Sequence, residues 1–398
     1  MKRSLIFIII LAAALLLAGC TAKPQPAEPG ASESPAGTET AALNTEEPTP
    51  EPTEEPTAEP TEEPTEAPDD MVIEFADRKL EIAIRNQLSI YLEEPFTVKR
   101  AREATELKLR IQELEDISDL AYFTGLIKLD LSANNIKDIS ALAGMKQLEE
   151  LDLVMNRIED YSPLAGLTKL RKLDLRESGT ITDLSFLSLM QDMEELNMPQ
   201  CEASDLTPLS GMKQLKRLVL SSDGVTDIAP IAGLYGLKEL ILGGSFTDIT
   251  PLSGLKHLTY LSLGCGAEDL APLSGLNELC RLGLNCPVTD LSAIAGLPKL
   301  WYLSIGKTKV SDLTSISGMK NLQTLYAQGL GLKDISPISN LKKLVDVKLN
   351  DNPIEDFTPL YELKKLNYLE LYGTGINEEQ YKELREALDD DCMISCGY

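Results

Sequence analysis

Two consecutive stretches carry one pattern. The first runs Leu240-Ile241-Leu242, then Asp248-Ile249-Thr250-Pro251-Leu252-Ser253-Gly254-Leu255; the second runs Leu261-Ser262-Leu263, then Asp269-Leu270-Ala271-Pro272-Leu273-Ser274-Gly275-Leu276. Outward from this pair the pattern fills the chain, and a fixed period of this length is the mark of a repeat architecture. Apolar pairs of the form Leu-x-Leu begin at Leu107, Leu129, Leu151, Leu173, Leu196, Leu218, Leu240, Leu261, Leu282, Leu303, Leu325, Val347 and Leu369, at spacings of 21 to 23 residues. Leu-x-Leu is a short strand of period two, with the leucines inward and the middle residue outward. The Pro-Leu-x-Gly-Leu piece is too short for an α-helix and suits one irregular or 3-10 turn. No unit can bury its leucines alone, so units must stack. The expected fold is an α/β repeat solenoid of about thirteen repeats over residues 71–398. It has a parallel β-sheet on its concave face, short turns or 3-10 segments on its convex face and a helical cap at each end. At about 4.8 Å per strand, that face is about 60 Å long.

The N-terminal cap is placed at 71–105, where Asp77 precedes an apolar stripe of Leu80, Ile84 and Leu88 and reads as a helix N-cap. The C-terminal cap is placed at 377–398. Asn377 and Gln380 have capping-box spacing, Tyr381, Leu384 and Leu388 share a face, and 392–396 reads as a final strand or turn. Between the caps, Asn134, Asn156 and Asn352 stand three residues after the second strand leucine, where an amide can satisfy turn backbone; Cys201 takes the same position in its unit.

The 398 residues carry 37 Lys+Arg and 63 Asp+Glu, a formal charge of −26. Binding to nucleic acid needs clustered cations on the phosphates, so this balance argues against it. The one histidine, His257, precludes a multi-His metal site. At the start, Lys2 and Arg3 precede an apolar run from Leu5 to Ala18, too short to span a bilayer comfortably. The run ends in Leu17-Ala18-Gly19-Cys20, which looks like a bacterial lipobox. Residues 1–20 are then a lipoprotein signal peptide, Cys20 is the lipidated mature N-terminus, and several acyl chains anchor firmly where one would not. Residues 21–70 hold 14 Asp+Glu, one Lys and eleven prolines, with Pro48, Pro52, Pro56, Pro60, Pro64 and Pro68 at every fourth position. Such a segment has little to bury and is expected to be an extended, disordered, self-repelling tether.

The concave face divides in two. Before the first strand leucine the residues run Glu106, Lys128, Glu150, Lys172, Glu195, Arg217 and Glu239, a ladder of alternating charge that fixes register. Asp130, Asp152 and Asp174 add an acidic stripe beside it. In the second half that column becomes Tyr260, Arg281, Tyr302, Thr324, Asp346 and Tyr368, over a floor including Ser262, Gly283 and Ser304. Tyr and Arg are enriched at binding hot spots. The expected ligand-binding residues are Tyr260, Arg281, Asn285, Tyr302, Tyr326, Tyr368 and Tyr372. The competing reading is that the tyrosines only pack along the sheet.

Catalytic chemistry finds little support. His257 precedes Leu258, away from the strand face. Trp301 suits either edge packing or ligand contact. Cys265 and Cys286 fall at matching positions of adjacent units, as a disulfide or as small turn residues in place of asparagine. Cys392 and Cys396 can pair only if the chain turns between them. No phosphate-binding glycine loop, zinc motif or recognisable catalytic carboxylate pair is present, so no cofactor, no metal and no enzymatic activity are expected.

The repeat unit, a strand followed by asparagine and Asp-Ile-x-Pro-Leu-x-Gly-Leu, resembles the bacterial 22-residue leucine-rich repeats of internalin-like proteins over about 71–398. Together these features imply a monomeric leucine-rich-repeat lipoprotein on the extracytoplasmic face of a bacterial cell membrane. It would bind a protein, peptide or glycan on its concave face. The resemblance also implies an alternative, an adhesin for host cells or matrix, and an enzyme with an unrecognised site is the remaining class.

Overall fold

The computed structural model describes residues 67–397. The expected leader at 1–20, the expected lipidation site at Cys20 and all of the expected tether except residues 67–70 lie outside the described residues. Among the described residues, 14 parallel strands form one curved sheet in strict sequence order. They are β1 Glu106–Lys108, β2 Lys128–Asp130, β3 Glu150–Asp152, β4 Lys172–Asp174, β5 Glu195–Met198, β6 Arg217–Ser221 and β7 Glu239–Gly243. β8 Tyr260–Gly264, β9 Arg281–Asn285, β10 Tyr302–Ser304, β11 Thr324–Tyr326, β12 Asp346–Lys348, β13 Tyr368–Glu370 and β14 Met393–Ser395 complete it. Strand leucines stack in register, Leu107 on Leu129 and Leu240 on Leu261. The return path of each unit makes a short 3-10 turn, such as Ser140–Gly144 or Thr250–Gly254. This is the solenoid that the period demands.

The aspartate in the turn signature has a defined task. The N–H groups of Ser140, Thr250 and Thr314 donate to Oδ1 of Asp138, Asp248 and Asp312 at 2.8 Å, and the same bond recurs along the array. It satisfies an N–H that a 3-10 turn leaves without an internal partner. The Ser or Thr hydroxyl and then this N–H favour the charged carboxylate, and hold Asp160, Asp248 and Asp290 below the ordinary aspartate range.

Asparagine does the corresponding work after the strands. Oδ1 of Asn352 accepts the N–H groups of Leu330 and Leu332, both at 3.0 Å. Its Nδ2 donates to the carbonyls of Ala327 and Leu349, both at 2.8 Å. Asn134 and Asn156 repeat this between their own neighbours. Cys201 is a weaker substitute, its Sγ donating to Ile181 O at 3.5 Å and accepting from Ala203 N at 3.4 Å. The residue just before the asparagine adopts a left-handed conformation, at Ala133, Met155 and Asp351. Elsewhere the asparagine is replaced. The hydroxyls of Ser178, Thr308 and Thr374 donate to the carbonyl three residues before them. From β6 to β9, where the position holds Asp223, Ser245, Gly266 and Pro287, the strands lengthen to five residues. Extended pairing such as Gly243 with Gly264 adds backbone contact between these four strands.

Cys265 and Cys286 lie just beyond β8 and β9 as free thiols with their sulfurs 2.8 Å apart. They do not stand in for asparagine, since that position is Gly266 in one unit and Pro287 in the next. The hydrogen bond between them lowers the Cys265 thiol and raises that of Cys286. Cys392 and Cys396 flank β14, whose extended backbone separates them, and both are free.

Both ends of the stack are covered. Helix α1 spans Arg78–Leu88, with Asp77 accepting from Lys79 N at 2.6 Å and Leu80 N at 3.1 Å. Leu80 and Ile84 are fully buried. The N-terminal side also holds features that the apolar stripe did not announce. A second helix, α2 Val98–Glu103, follows a bridge between Val72 and Thr97. Arg85 is buried, donating to the carbonyls of Tyr91 and Glu94 with its guanidinium over the Phe96 ring. At the other end α3 spans Glu378–Ala387 behind a complete capping box of Asn377 and Gln380, and β14 extends the sheet against β13. No helix among the described residues is long and apolar enough to cross a membrane.

Two stability predictions follow from this packing. Removing 377–398 uncovers the last apolar layer, so the truncated chain should melt at lower temperature and aggregate; an unchanged melting temperature would mean that the segment caps nothing. Asn352→Ala strands buried backbone groups that cost about 1–3 kcal/mol each when unsatisfied. Chemical denaturation should therefore show a loss of about 3 kcal/mol, and a loss under about 0.5 kcal/mol would contradict the bridging role.

Candidate functional site

Alternate residues of each strand point away from the leucine core, so each strand contributes two or three side chains to the concave face. In the first half the column of Lys, Arg and Glu side chains satisfies itself. Lys128 pairs with Glu150 at 2.9 Å and Lys172 with Glu195 at 3.1 Å, and Arg217 pairs with Glu239. The ladder is a row of separate pairs, because Glu106 turns to Lys108 on its own strand. Such half-exposed pairs contribute about 0.2–1 kcal/mol each. Asp130, Asp152 and Asp174 stand in register. Burial, then the charges of Asp174 and Asp130, raises the Asp152 carboxyl above its ordinary range. Arg176 meets Asp174 at 2.8 Å. A shallow depression of about 290 Å³ lies over these strands, lined by residues such as Lys128, Asp152, Lys172 and Asn197.

The second half is built differently. Arg281 on β9 stands in register between Tyr260 on β8 and Tyr302 on β10. Its guanidinium carbon lies 4.4 Å from the Tyr260 ring centre, 5.6 Å from that of Tyr302 and 6.0 Å from that of Trp301. Tyr302 meets Tyr326 edge-on at 5.5 Å. Beyond Tyr326 a second cation–ring cluster begins: Lys348 lies 4.9 Å from the Tyr326 centre and 5.4 Å from that of Tyr368. Each such contact contributes about 0.5–2 kcal/mol. The tyrosines are therefore half-buried side chains with a packing partner, not free-standing walls. Burial raises the phenols of Tyr260 and Tyr302 above their ordinary range. The bond donated by Tyr368 to Glu370, at 2.5 Å, pushes its phenol up to about 12.

Two polar atoms in this half are left over. Nε of Arg281 and Oδ1 of Asp346 are buried and have no hydrogen-bond partner among the described residues. The other carboxylate oxygen of Asp346 accepts from the Tyr326 hydroxyl at 2.8 Å. Burial is the main cause that raises the Asp346 carboxyl. Beside Arg281 the floor is low, since Gly283 is flanked in register by Ser262 and Ser304.

Of the residues expected here, Tyr260, Arg281, Tyr302 and Tyr326 form one contiguous group, and Tyr368 joins it through Lys348. Asn285 ends β9 opposite Gly264, beside the group. Tyr372 is 49% exposed, lies past β13 and is four strands away from Arg281. Trp301, Asp346 and Lys348 belong to the cluster although spacing alone did not select them. Lys348 occupies the same strand position as Tyr326, and following that column one strand further would have found it. His257 is exposed in the turn before β8. Among the described residues no group of three or more His, Cys, Asp or Glu is placed to hold a metal ion.

Known proteins agree with this architecture. Family models described as leucine-rich repeats match residues 102–158, 146–189 and 320–362. No curated protein matches the chain. Among solved structures, an internalin (inlF) from Listeria monocytogenes is 31% identical, with a TM-score of 0.73, over 81% of this chain and 96% of that one. The functional domain of InlJ from the same organism, which includes a cysteine ladder, is 19% identical with a TM-score of 0.54, over 75% of this chain and 74% of that one. The plant peptide hormone receptor RGFR1, solved in complex with RGF2, is 17% identical with a TM-score of 0.57, over 75% of this chain and 53% of that one. The repeat, its fold and the match along almost the whole inlF structure place this chain in the family of internalin-like leucine-rich-repeat proteins.

Proposed function

We propose that this protein is a recognition module, held outside the cytoplasm by a lipid on Cys20, whose concave second half binds a protein or peptide. Its fold is typical of protein-binding modules. The observation that carries the choice of face is the contrast between its halves. From β2 to β7 the column of Lys, Arg and Glu pairs off beside the acidic stripe, whereas from β8 to β13 the aromatic cluster holds buried polar atoms without partners. A binding face must leave something unsatisfied for its ligand, and buried aromatic and Arg anchors dominate interface energetics. The lipobox ending at Cys20 and the Pro- and Glu-rich stretch after it support a tethered stand-off position.

A second reading, an adhesin for host cells or matrix, is favoured by the 31% identity to a Listeria internalin. Capture on intact cells separates the two. An adhesin retains host cells or matrix, whereas a receptor serving its own cell retains envelope material.

Tyr302→Ala and Tyr326→Ala should each weaken binding to the captured partner about thirtyfold, which is about 2 kcal/mol. Lys128→Ala and Glu150→Ala should change affinity by less than about threefold, as fits a half-exposed pair. The opposite result moves the site to the first half, over Asp130, Asp152 and Asp174. Cys20→Ala should send the protein to the medium or leave an unprocessed precursor in a fractionation experiment. A mutant still processed and membrane-bound would end the anchor proposal.

A further inference from the structure

We propose that Arg281 and Asp346 form the two ends of a charge-reading seat for an extended peptide. Arg281 takes a carboxylate and Asp346 takes an ammonium or other N–H donor. The proposal rests on the concave-face reading above and gives it a ligand chemistry.

Arg281 differs from the other basic residues of the concave column. Lys128, Lys172 and Arg217 each have an acid beside them on the next strand and pair with it. Arg281 has tyrosines on both sides. Aromatic rings attract the flat faces of a guanidinium, but its N–H donors lie in the plane and radiate from the edge. Tyr260, Tyr302 and Trp301 therefore hold Arg281 without using its hydrogen-bonding capacity, and its buried Nε shows the deficit. A planar carboxylate matches that in-plane fork. A doubly charged phosphate fits less well, because Glu239 stands one strand beyond Tyr260 and the repeats are acidic.

Asp346 is the complementary deficit. Lys348, on the same strand, is engaged by Glu370 at 2.8 Å and by two tyrosine rings, and it makes no hydrogen bond to Oδ1 of Asp346. β9 and β12 are three strand spacings apart, about 14 Å. An extended peptide rises about 3.4 Å per residue, so the two charges fall about four residues apart on the ligand. A neutral glycan is disfavoured by the same geometry. Sugars stack on open ring faces, and here a cation already covers one face of each of Tyr260, Tyr302, Tyr326 and Tyr368.

The test probes the full chain with an array of random pentapeptides attached through a central side chain, in four end chemistries. These are free at both ends, C-terminally amidated, N-terminally acetylated, and blocked at both ends; a parallel array carries neutral and acidic glycans. The expected result is capture of peptides bearing a carboxylate and an ammonium or guanidinium about four residues apart. A terminal carboxylate is the source if amidation abolishes capture, and an Asp or Glu side chain if it does not. Arg281→Gln should weaken the captured peptides at least tenfold, Arg281→Lys should recover part of that, and the isosteric D346N should remove the preference for the cationic end alone. Gly283→Leu places a side chain on the open floor beside Arg281, where an added Cβ meets Ser262 no closer than 3.5 Å. It should block every captured peptide while leaving the melting temperature within a few degrees. The charge-reading seat is wrong if Arg281→Gln and D346N bind as the unmodified chain does while Gly283→Leu still blocks. The concave-face reading falls with it if Gly283→Leu and Tyr302→Ala also leave capture unchanged. An array with no captured peptide, or capture of acidic glycans through Arg281 in their place, likewise overturns the peptide seat.

Discussion

Each unit of this protein has an apolar surface that it cannot cover by itself, and every other feature accommodates that fact. An inner strand of three to five residues lies between two neighbours and over the turns of the stack. Its leucines are buried only because the next unit repeats them in register. Stability is then a sum over interfaces between neighbours. Polar backbone inside the stack is handled the same way, by side chains that reach across a unit boundary, as Asn352 does. Where the asparagine is absent, the hydroxyls of Ser178, Thr308 and Thr374 bond a carbonyl of their own unit, and β6 to β9 have longer strands.

This constraint explains what could be read from residues alone. The period reports which side chains face inward, so the leucine stack, the parallel sheet and the 3-10 turns were all legible. The capping box at Asn377 was legible because its chemistry is local. What escaped depended on partners distant in sequence or on rotamers. Nothing in the 71–105 stretch signals that Arg85 would bury beneath Phe96 and bind the Tyr91 and Glu94 carbonyls. Periodicity placed Tyr260, Tyr302 and Tyr326 on one face but could not show that Arg281 would fill the space between rings. Trp301 was ambiguous for the same reason: its position is fixed by the strand, but its ring orientation is not.

The concave face is where the stack leaves freedom. Outward residues are excused from packing the core, so they can vary from strand to strand without disturbing the leucines. One half of the array uses that freedom for a column of ion pairs beside an acidic stripe. The other half uses it for a row of rings and cations with one buried donor and one buried acceptor to spare. Interactions strong enough to bind a partner must be withheld from the protein's own structure, and that trade is visible in the change of column chemistry between Glu239 and Tyr260, adjacent in register.

Hydrogen–deuterium exchange along residues 67–397 tests the central claim, that one unbroken core is stabilised by its neighbour interfaces. Protection should rise smoothly from α1 and from α3 toward a maximum in β6 to β9, with no step between the two halves of the sheet. Two blocks that exchange independently, with a sharp boundary near β7 and β8, would contradict it, because the repeats would then be two stacks joined end to end.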